Sequence, residues 1–246
     1  MTGIDSEQLA RRVADIPWFH RMEIAPGVVT PGRIDPSIRL AGLHLPDDLS
    51  GKSVLDVGAW DGYFSFEAER RGADRVVAVD SHSWSGDGWG SRAGFDCAHA
   101  AYGSRVEPIE MEVLDLDPAR IGRFDVVLFL NVLYHMRDPA LAIARVASVT
   151  ADRLILETHT DLNDLDVPAV ALYRPGELWR DETTYCGPNL PALEIMLHDA
   201  GFTRVEVVGT ASRARTLARA LVHEREHGIP RARTLRQGWA VVHAFK

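Results

Sequence analysis

The chain has 246 residues, a formal charge of −8 at pH 7 and 46% hydrophobic residues. That length can bury a sizeable core and fits one main domain with a short appendage. The acidic balance argues against a broad nucleic-acid footprint, no run of about 18 apolar residues occurs, and the start lacks a signal-peptide pattern. A cytoplasmic protein without a membrane partner is expected. Two cysteines, Cys97 and Cys186, are too few for a disulfide framework or a Cys-based zinc site.

Residues 1 to 16 read as a short amphipathic helix, with Leu9, Val13 and Ile16 at helical spacing before Pro17. The stretch from Trp18-Phe19-His20 to Gly32 mixes aromatics with turn residues and reads as a cap. We therefore divide the chain into an N-terminal helix and cap over 1–45 and a ligand-binding domain over 46–246. From Lys52 onward, apolar runs of strand length alternate with helical stretches, the signature of βαβ units and a parallel sheet. The strands predicted are 53–57, 75–80, 106–110, 124–130, 153–158, 203–208 and 238–244. Helices are predicted over 63–71, 92–101, 139–149, 191–200 and 214–226, with Gly72 and Gly201 where helix-ending glycines belong. The fold class is α/β, a doubly wound, mostly parallel seven-stranded sheet whose last two strands form an antiparallel hairpin at one edge.

The most informative run is Ser53-Val54-Leu55-Asp56-Val57-Gly58-Ala59-Trp60-Asp61-Gly62, a buried strand entering a glycine-bearing turn that opens a helix. Glycines allow close backbone approach to a ligand, and the helix start offers free N–H groups. A dinucleotide loop needs three glycines, whereas here Trp60 replaces the middle one. Asp56 and Asp61 would repel a pyrophosphate and suit an ammonium, so a cationic amino-acid ligand is expected beside Gly58 and Gly62. The next strand ends at Asp80, about twenty residues past the turn, where a carboxylate takes both ribose hydroxyls, with Ser81 beside it. After the third strand, Glu112 and the adjacent backbone at Val113 are assigned to an adenine edge, with Asp115 as the alternative. Asn131 begins the segment following the fourth strand.

These runs, with Asn131-Val132-Leu133-Tyr134-His135-Met136-Arg137-Asp138-Pro139 and Leu156-Glu157-Thr158, resemble class I S-adenosylmethionine-dependent methyltransferases over roughly 50–210. The cap, Tyr173-Arg174-Pro175-Gly176 and Trp179 are similar to a subgroup related to the tRNA wobble-uridine carboxymethyltransferase. That subgroup also holds methyltransferases of sugars and secondary metabolites. The resemblance implies a Rossmann-like sheet with a terminal antiparallel strand, S-adenosylmethionine as donor and S-adenosylhomocysteine as product. The carboxymethyl enzymes need a basic pocket including a cap lysine, and no lysine precedes Lys52 here, so the ordinary methyl donor is expected. Arg21, Arg33 or Arg39 stand as alternative sources of positive charge.

Transfer to a hydroxyl requires alignment and a base. His20, His135 and His159 are the candidates, and Glu157 can orient the acceptor or stabilise a cation. The loop carrying His159, Asp161, Asn163, Asp164 and Asp166 offers oxygen ligands for Mg²⁺, but a solvated acidic loop is the favoured reading and no metal is assigned. Tyr173, Trp179, Tyr185, Trp84 and Trp89 suit a sugar ring or flat product, and Ser85-Gly86-Asp87-Gly88-Trp89-Gly90 reads as a mobile lid. The expected function is O-methylation of a small hydroxylated acceptor. The alternatives are a tRNA wobble-uridine (carboxy)methyltransferase and a catalytically silent cofactor-binding partner domain.

Overall fold

A computed structural model describes residues 6–85, 91–227 and 230–246. The chain divides into two compact units, one of residues 1–116 with 124–128 and one of residues 117–123 with 129–246. The first carries α1 (Ser6–Ala14), β1 (Glu23–Ala25), β2 (Val28–Val29), α2 (Ser37–Leu43), β3 (Ser53–Val57), α3 (Tyr63–Arg70), β4 (Arg75–Asp80), α4 (Ala93–Tyr102) and β5 (Glu107–Glu110). Next come α5 (Pro118–Ile121) and β6 (Phe124–Leu130), the strand on which the division falls. The second unit continues through α6 (Pro139–Val149), β7 (Thr150–Thr160), β8 (Val170–Leu172), β9 (Cys186–Pro188), α7 (Leu190–Asp199), β10 (Arg204–Thr210), α8 (Arg213–His227), α9 (Arg231–Leu235) and β11 (Gly238–Phe245). No described helix is long and apolar enough to cross a membrane.

One sheet has seven strands in the order β10-β11-β7-β6-β3-β4-β5. β3, β4 and β5 run parallel, while β11 is antiparallel to both β7 and β10. This is the α/β, mostly parallel sheet with a terminal antiparallel strand that the pattern predicts. Val54, Leu55, Val77, Ala78, Val127, Leu128 and Phe129 are all fully buried, which explains continuous apolar runs rather than alternation. Helix starts follow local chemistry. Asp138 accepts the Leu141 N–H ahead of α6 and Asn189 accepts the Ala192 N–H ahead of α7, with proline in the first turn of each.

Differences from the predicted bounds are small except for β7, which spans Thr150–Thr160; its pairing with β11, from Arg153 to Thr160, accounts for the added His159 and Thr160. Absent from the sequence reading are the two small hairpins, β1/β2 and β8/β9, and the short helices α2, α5 and α9. Strands of two or three residues are too short to show a period. The expected lid lies at 86–90, with Trp89, outside the described residues.

The cap folds within the first unit. Leu9 and Val13 bury one side of α1, and Trp18 donates its indole N–H to the Val13 carbonyl at 2.9 Å. The chain then returns on itself, with Arg21 N–H bonded to Ile34 O and Ile34 N–H bonded to Phe19 O. Gly32 permits this close pass, because a Cβ there would lie 2.1 Å from the His20 backbone carbonyl. Gly27, at φ +77°, has open space around its missing Cβ. Gly27→Ala should therefore cost only the left-handed penalty of about 1–2 kcal/mol, whereas Gly32→Ala adds a backbone overlap of about 1–3 kcal/mol or more. Urea unfolding should rank Gly32→Ala below Gly27→Ala, and equal midpoints would contradict the packing described.

Candidate active site

In the first unit, the turn following β3 is built from left-handed backbone. Gly58, Trp60 and Gly62 have φ of +82°, +48° and +83°. Gly62 opens α3 and cannot carry a side chain, since a Cβ would sit 2.6–2.8 Å from the Phe95 and Phe66 rings. Trp60 is bulky, so its left-handed conformation costs about 1–2 kcal/mol unless neighbours hold it. Three do. Its ring stacks on Phe19 at 4.0 Å between centroids and 9° between planes, its carbonyl accepts the Trp84 indole N–H at 2.7 Å, and its N–H donates to Asp80 at 2.9 Å.

Three carboxylates lie around this turn. Asp56, 2% exposed, accepts the Ser65 hydroxyl at 2.6 Å. Asp61, 1% exposed, accepts the N–H groups of Phe19 and His20 on one oxygen at 2.7 and 2.8 Å. Asp80, 6% exposed, accepts Trp60 N–H on one oxygen and Ser83 N–H on the other, both at 2.9 Å. The Ser81 N–H and the Ser83 hydroxyl also hydrogen-bond to Asp80. Burial pushes Asp56 up to about 7, against the pull of the Ser65 hydroxyl, and Asp61 up to about 6, against the His20 and Phe19 N–H groups. Burial also raises Asp80. Among the described residues no lysine or arginine is salt-bridged to any of the three, and the ion-pair-range contact is His20 Nδ1, 3.9 Å from Asp61. His20 is buried, and its imidazole is driven down to about 4 by burial with Arg39 adding to the effect, so it is neutral at pH 7.

The sequence assigns Asp56 and Asp61 to a ligand's ammonium. In the structure Asp56 is turned into the core against Ser65, and Asp61 ties the cap to the turn. Ser81 is half-buried; Glu112, exposed, precedes a 3-10 turn over Val113–Asp115, in which Val113 is buried. Met111 N–H bonds to Asp80 O, which links that segment to the end of β4.

The second unit holds the remaining candidates. Asn131, at φ +61°, donates its backbone N–H to Glu157 O at 2.7 Å and its side-chain amide to Glu157 Oε2 at 2.6 Å, while its Oδ1 is buried without a hydrogen-bond partner. His135 Nδ1 lies 2.9 Å from Thr183 O and 3.0 Å from Thr183 Oγ1, and that hydroxyl donates to Asp181 at 2.6 Å. Both groups facing Nδ1 are therefore acceptors, which places the proton on Nδ1 and the basic lone pair on Nε2. His159 is fully buried and driven down to about 4, chiefly by burial. Its Nε2 lies 3.1 Å from the Tyr173 hydroxyl, which donates to Asp161 at 2.6 Å; Gln237 also donates to Asp161 at 3.2 Å. Burial and Asp161 both raise the Tyr173 phenol above its ordinary value.

Around His159 stand Tyr134, Trp179 and Trp239. The two indoles are parallel at 5.7 Å, Tyr134 is perpendicular to both at 5.5 and 5.9 Å, and the His159 ring meets Trp179 edge-on at 4.7 Å. Trp179 remains 39% exposed. Of the aromatics expected near an acceptor, Tyr173 and Trp179 join this group, Tyr185 lies under the Arg137 guanidinium at 3.9 Å, and Trp84 packs in the first unit against Phe95. Thr183, Gln237 and Trp239 were missed by the sequence reading. None of the three carried a local signal; the antiparallel pairing of β11 with β7 sets Trp239 opposite His159. The acidic loop is used internally, with Asp161 bound as above and Asp164 paired with Arg236 at 3.0 Å. Among the described residues no group of three or more His, Cys, Asp or Glu gathers as a metal site.

Residues 33–207 match the family described as methyltransferase domain. The chain belongs to that family. It is similar to the tRNA U34 carboxymethyltransferase of Pseudomonas savastanoi pv. phaseolicola, 31% identical over 173 residues, covering 65% of this chain and 48% of that protein. To the Pseudomonas fluorescens (strain SBW25) enzyme of the same name it is 31% identical over 205 residues, covering 78% and 58%. The chain thus spans about half the length of the curated relatives it matches. Its fold resembles the N-terminal domain of EvdMO1 with SAH bound, at TM-score 0.71 and 23% identity, covering 99% of this chain and 98% of that one.

The buried acids set a pH signature. Asp56 has a folded pKa raised to about 7, so its neutral form favours folding and that contribution is lost as pH rises from near 4 through 7. His20 and His159 have the opposite sign: their depressed values favour folding above about 6.5, and that is lost as pH falls toward 4. Asp56→Asn keeps an acceptor for Ser65 and removes the first effect. Its stability relative to wild type should grow with pH between 4 and 7, with a slope approaching about 1.4 kcal/mol per unit. Parallel stability curves would show that Asp56 is ionised throughout.

Proposed function

We propose that the chain is an S-adenosylmethionine-dependent methyltransferase that O-methylates a small hydroxylated acceptor, such as a sugar or a secondary-metabolite intermediate. The observation that carries the donor assignment is the Asp80 carboxylate, buried at the end of β4, fixed by two backbone N–H groups and set beside a left-handed glycine turn. The residues fit the donor. Asp80 would hold the ribose hydroxyls, Gly58 would let the backbone approach, and the unneutralised acids favour a ligand of net positive charge. When bound, S-adenosylmethionine supplies an electrophilic methyl on a sulfonium sulfur.

In this reading His135 takes the acceptor's proton. It is less buried than His20, His159 and Glu157, and Thr183 fixes the tautomer that leaves Nε2 basic. The exposed face of Trp179, backed by Trp239 and Tyr134, supports a sugar or flat ring, and His159 with Tyr173 and Asp161 holds that group in place. A second reading, tRNA wobble-uridine (carboxy)methyl transfer, is favoured by the 31% identical relatives. Against it stand the net charge of −8 and the lack of lysine before Lys52.

Calorimetry with S-adenosylmethionine, S-adenosylhomocysteine and carboxy-S-adenosylmethionine should show preference for the first two. Asp80→Ala should weaken them by about 10–100-fold, the loss of one charged bidentate contact. No binding to wild type would end the donor assignment, and preference for the carboxylated donor with salt-sensitive tRNA binding would put the second reading first. Given an acceptor, His135→Gln should lower kcat about 100-fold or more with donor affinity unchanged. Unaltered kcat would remove it as the base.

A further inference from the structure

We propose that Phe19 is a positioning residue for the donor's ribose, acting through Trp60 on the Asp80 carboxylate. The inference rests on the donor reading above, in which Asp80 is the ribose ligand. Trp60 occupies a backbone conformation that bulky side chains rarely adopt, at φ +48°, in a turn where a third glycine would be free of strain. The N–H that Trp60 presents to Asp80 exists in that orientation only while the turn stays left-handed. The Phe19 ring stacked on the indole and the Trp84 N–H on the Trp60 carbonyl help to hold it there.

Phe19 is itself fixed in the same place. Its backbone N–H and that of His20 both donate to Asp61, the residue after Trp60, at 2.7 and 2.8 Å. Gly94 is pressed against this joint, where a Cβ would stand 2.6 Å from the other Asp61 oxygen and 3.3 Å from the Trp18 ring. The cap therefore grips two consecutive residues of the turn, one by its ring and one by its carboxylate. Loss of the stack frees Trp60 to relax toward ordinary φ, which turns its N–H away from Asp80 and removes one of the donors that orient the buried carboxylate. The orientation of both oxygens toward a pair of vicinal hydroxyls is then lost.

The experiment is a double-mutant cycle read by calorimetry with S-adenosylhomocysteine and with adenosine, which carries the ribose without the amino-acid end. Phe19→Ala should raise Kd about tenfold for both ligands, and Phe19→Tyr, which keeps the stack, should stay within about twofold of wild type. In an Asp80→Ala background the Phe19→Ala penalty should fall below about twofold, because the group it positions is gone. Additive penalties would show that Phe19 contacts the ligand independently of Asp80, and unchanged affinity in a folded Phe19→Ala protein would show a purely structural stack; either overturns the proposal. If Phe19→Ala does not fold, Phe19→Leu serves in its place, since it retains apolar volume without a stacking face. Failure of the wild type to bind either ligand would remove the donor reading, whereas binding by the wild type with no effect at Phe19 removes this inference alone.

Discussion

Burial of three carboxylates around one turn, with no lysine or arginine salt-bridged to them among the described residues, is the constraint on which the first unit depends. Withdrawing an ionised carboxylate from water is costly unless donors replace the lost solvent. The chain supplies those donors from backbone N–H groups and serine hydroxyls, and so the surrounding geometry is determined: the left-handed Trp60, the docking of Phe19 and His20, the Ser65 hydroxyl on α3 and Ser83 past β4. Those N–H dipoles offset part of the cost of burial, and burial still raises the pKa of all three acids.

The second unit solves a different problem. Its polar side chains are arranged in short relays, His135 to Thr183 to Asp181 and His159 to Tyr173 to Asp161, each ending on a carboxylate, with Gln237 a second donor to Asp161. Such relays fix tautomers and ring planes, which methyl transfer needs more than it needs strong acids or bases, because its main requirement is alignment. The parallel indoles of Trp179 and Trp239 add a rigid apolar face of the kind that binds rings rather than charged chains.

Much of this was legible in the chain. Periodicity gave β3, β4, β6 and α6 nearly to the residue, because those segments are wholly buried or cleanly capped. The run Asp56 to Gly62 and the spacing to Asp80 marked the turn around which the buried acids gather, since acids and glycines at strand ends are local signals. What sequence could not show were the partners that burial assigns. Nothing local tells that Asp56 faces Ser65, that Asp61 spends its oxygen on the cap, or that Trp60 lies on Phe19, 41 positions earlier in the chain. Trp239 enters through the antiparallel pairing of β11 with β7 and Gln237 through a side-chain hydrogen bond to Asp161, both long-range contacts that composition does not encode.

The central claim is that Asp80 is the ribose ligand of a bound adenosyl cofactor. A crystal structure of the protein with S-adenosylhomocysteine tests it most directly. The account predicts both Asp80 oxygens within hydrogen-bond distance of the two ribose hydroxyls, with the Trp60 and Ser83 N–H bonds retained. A ligand bound with its ribose directed away from Asp80, or seated elsewhere on the chain, would contradict it.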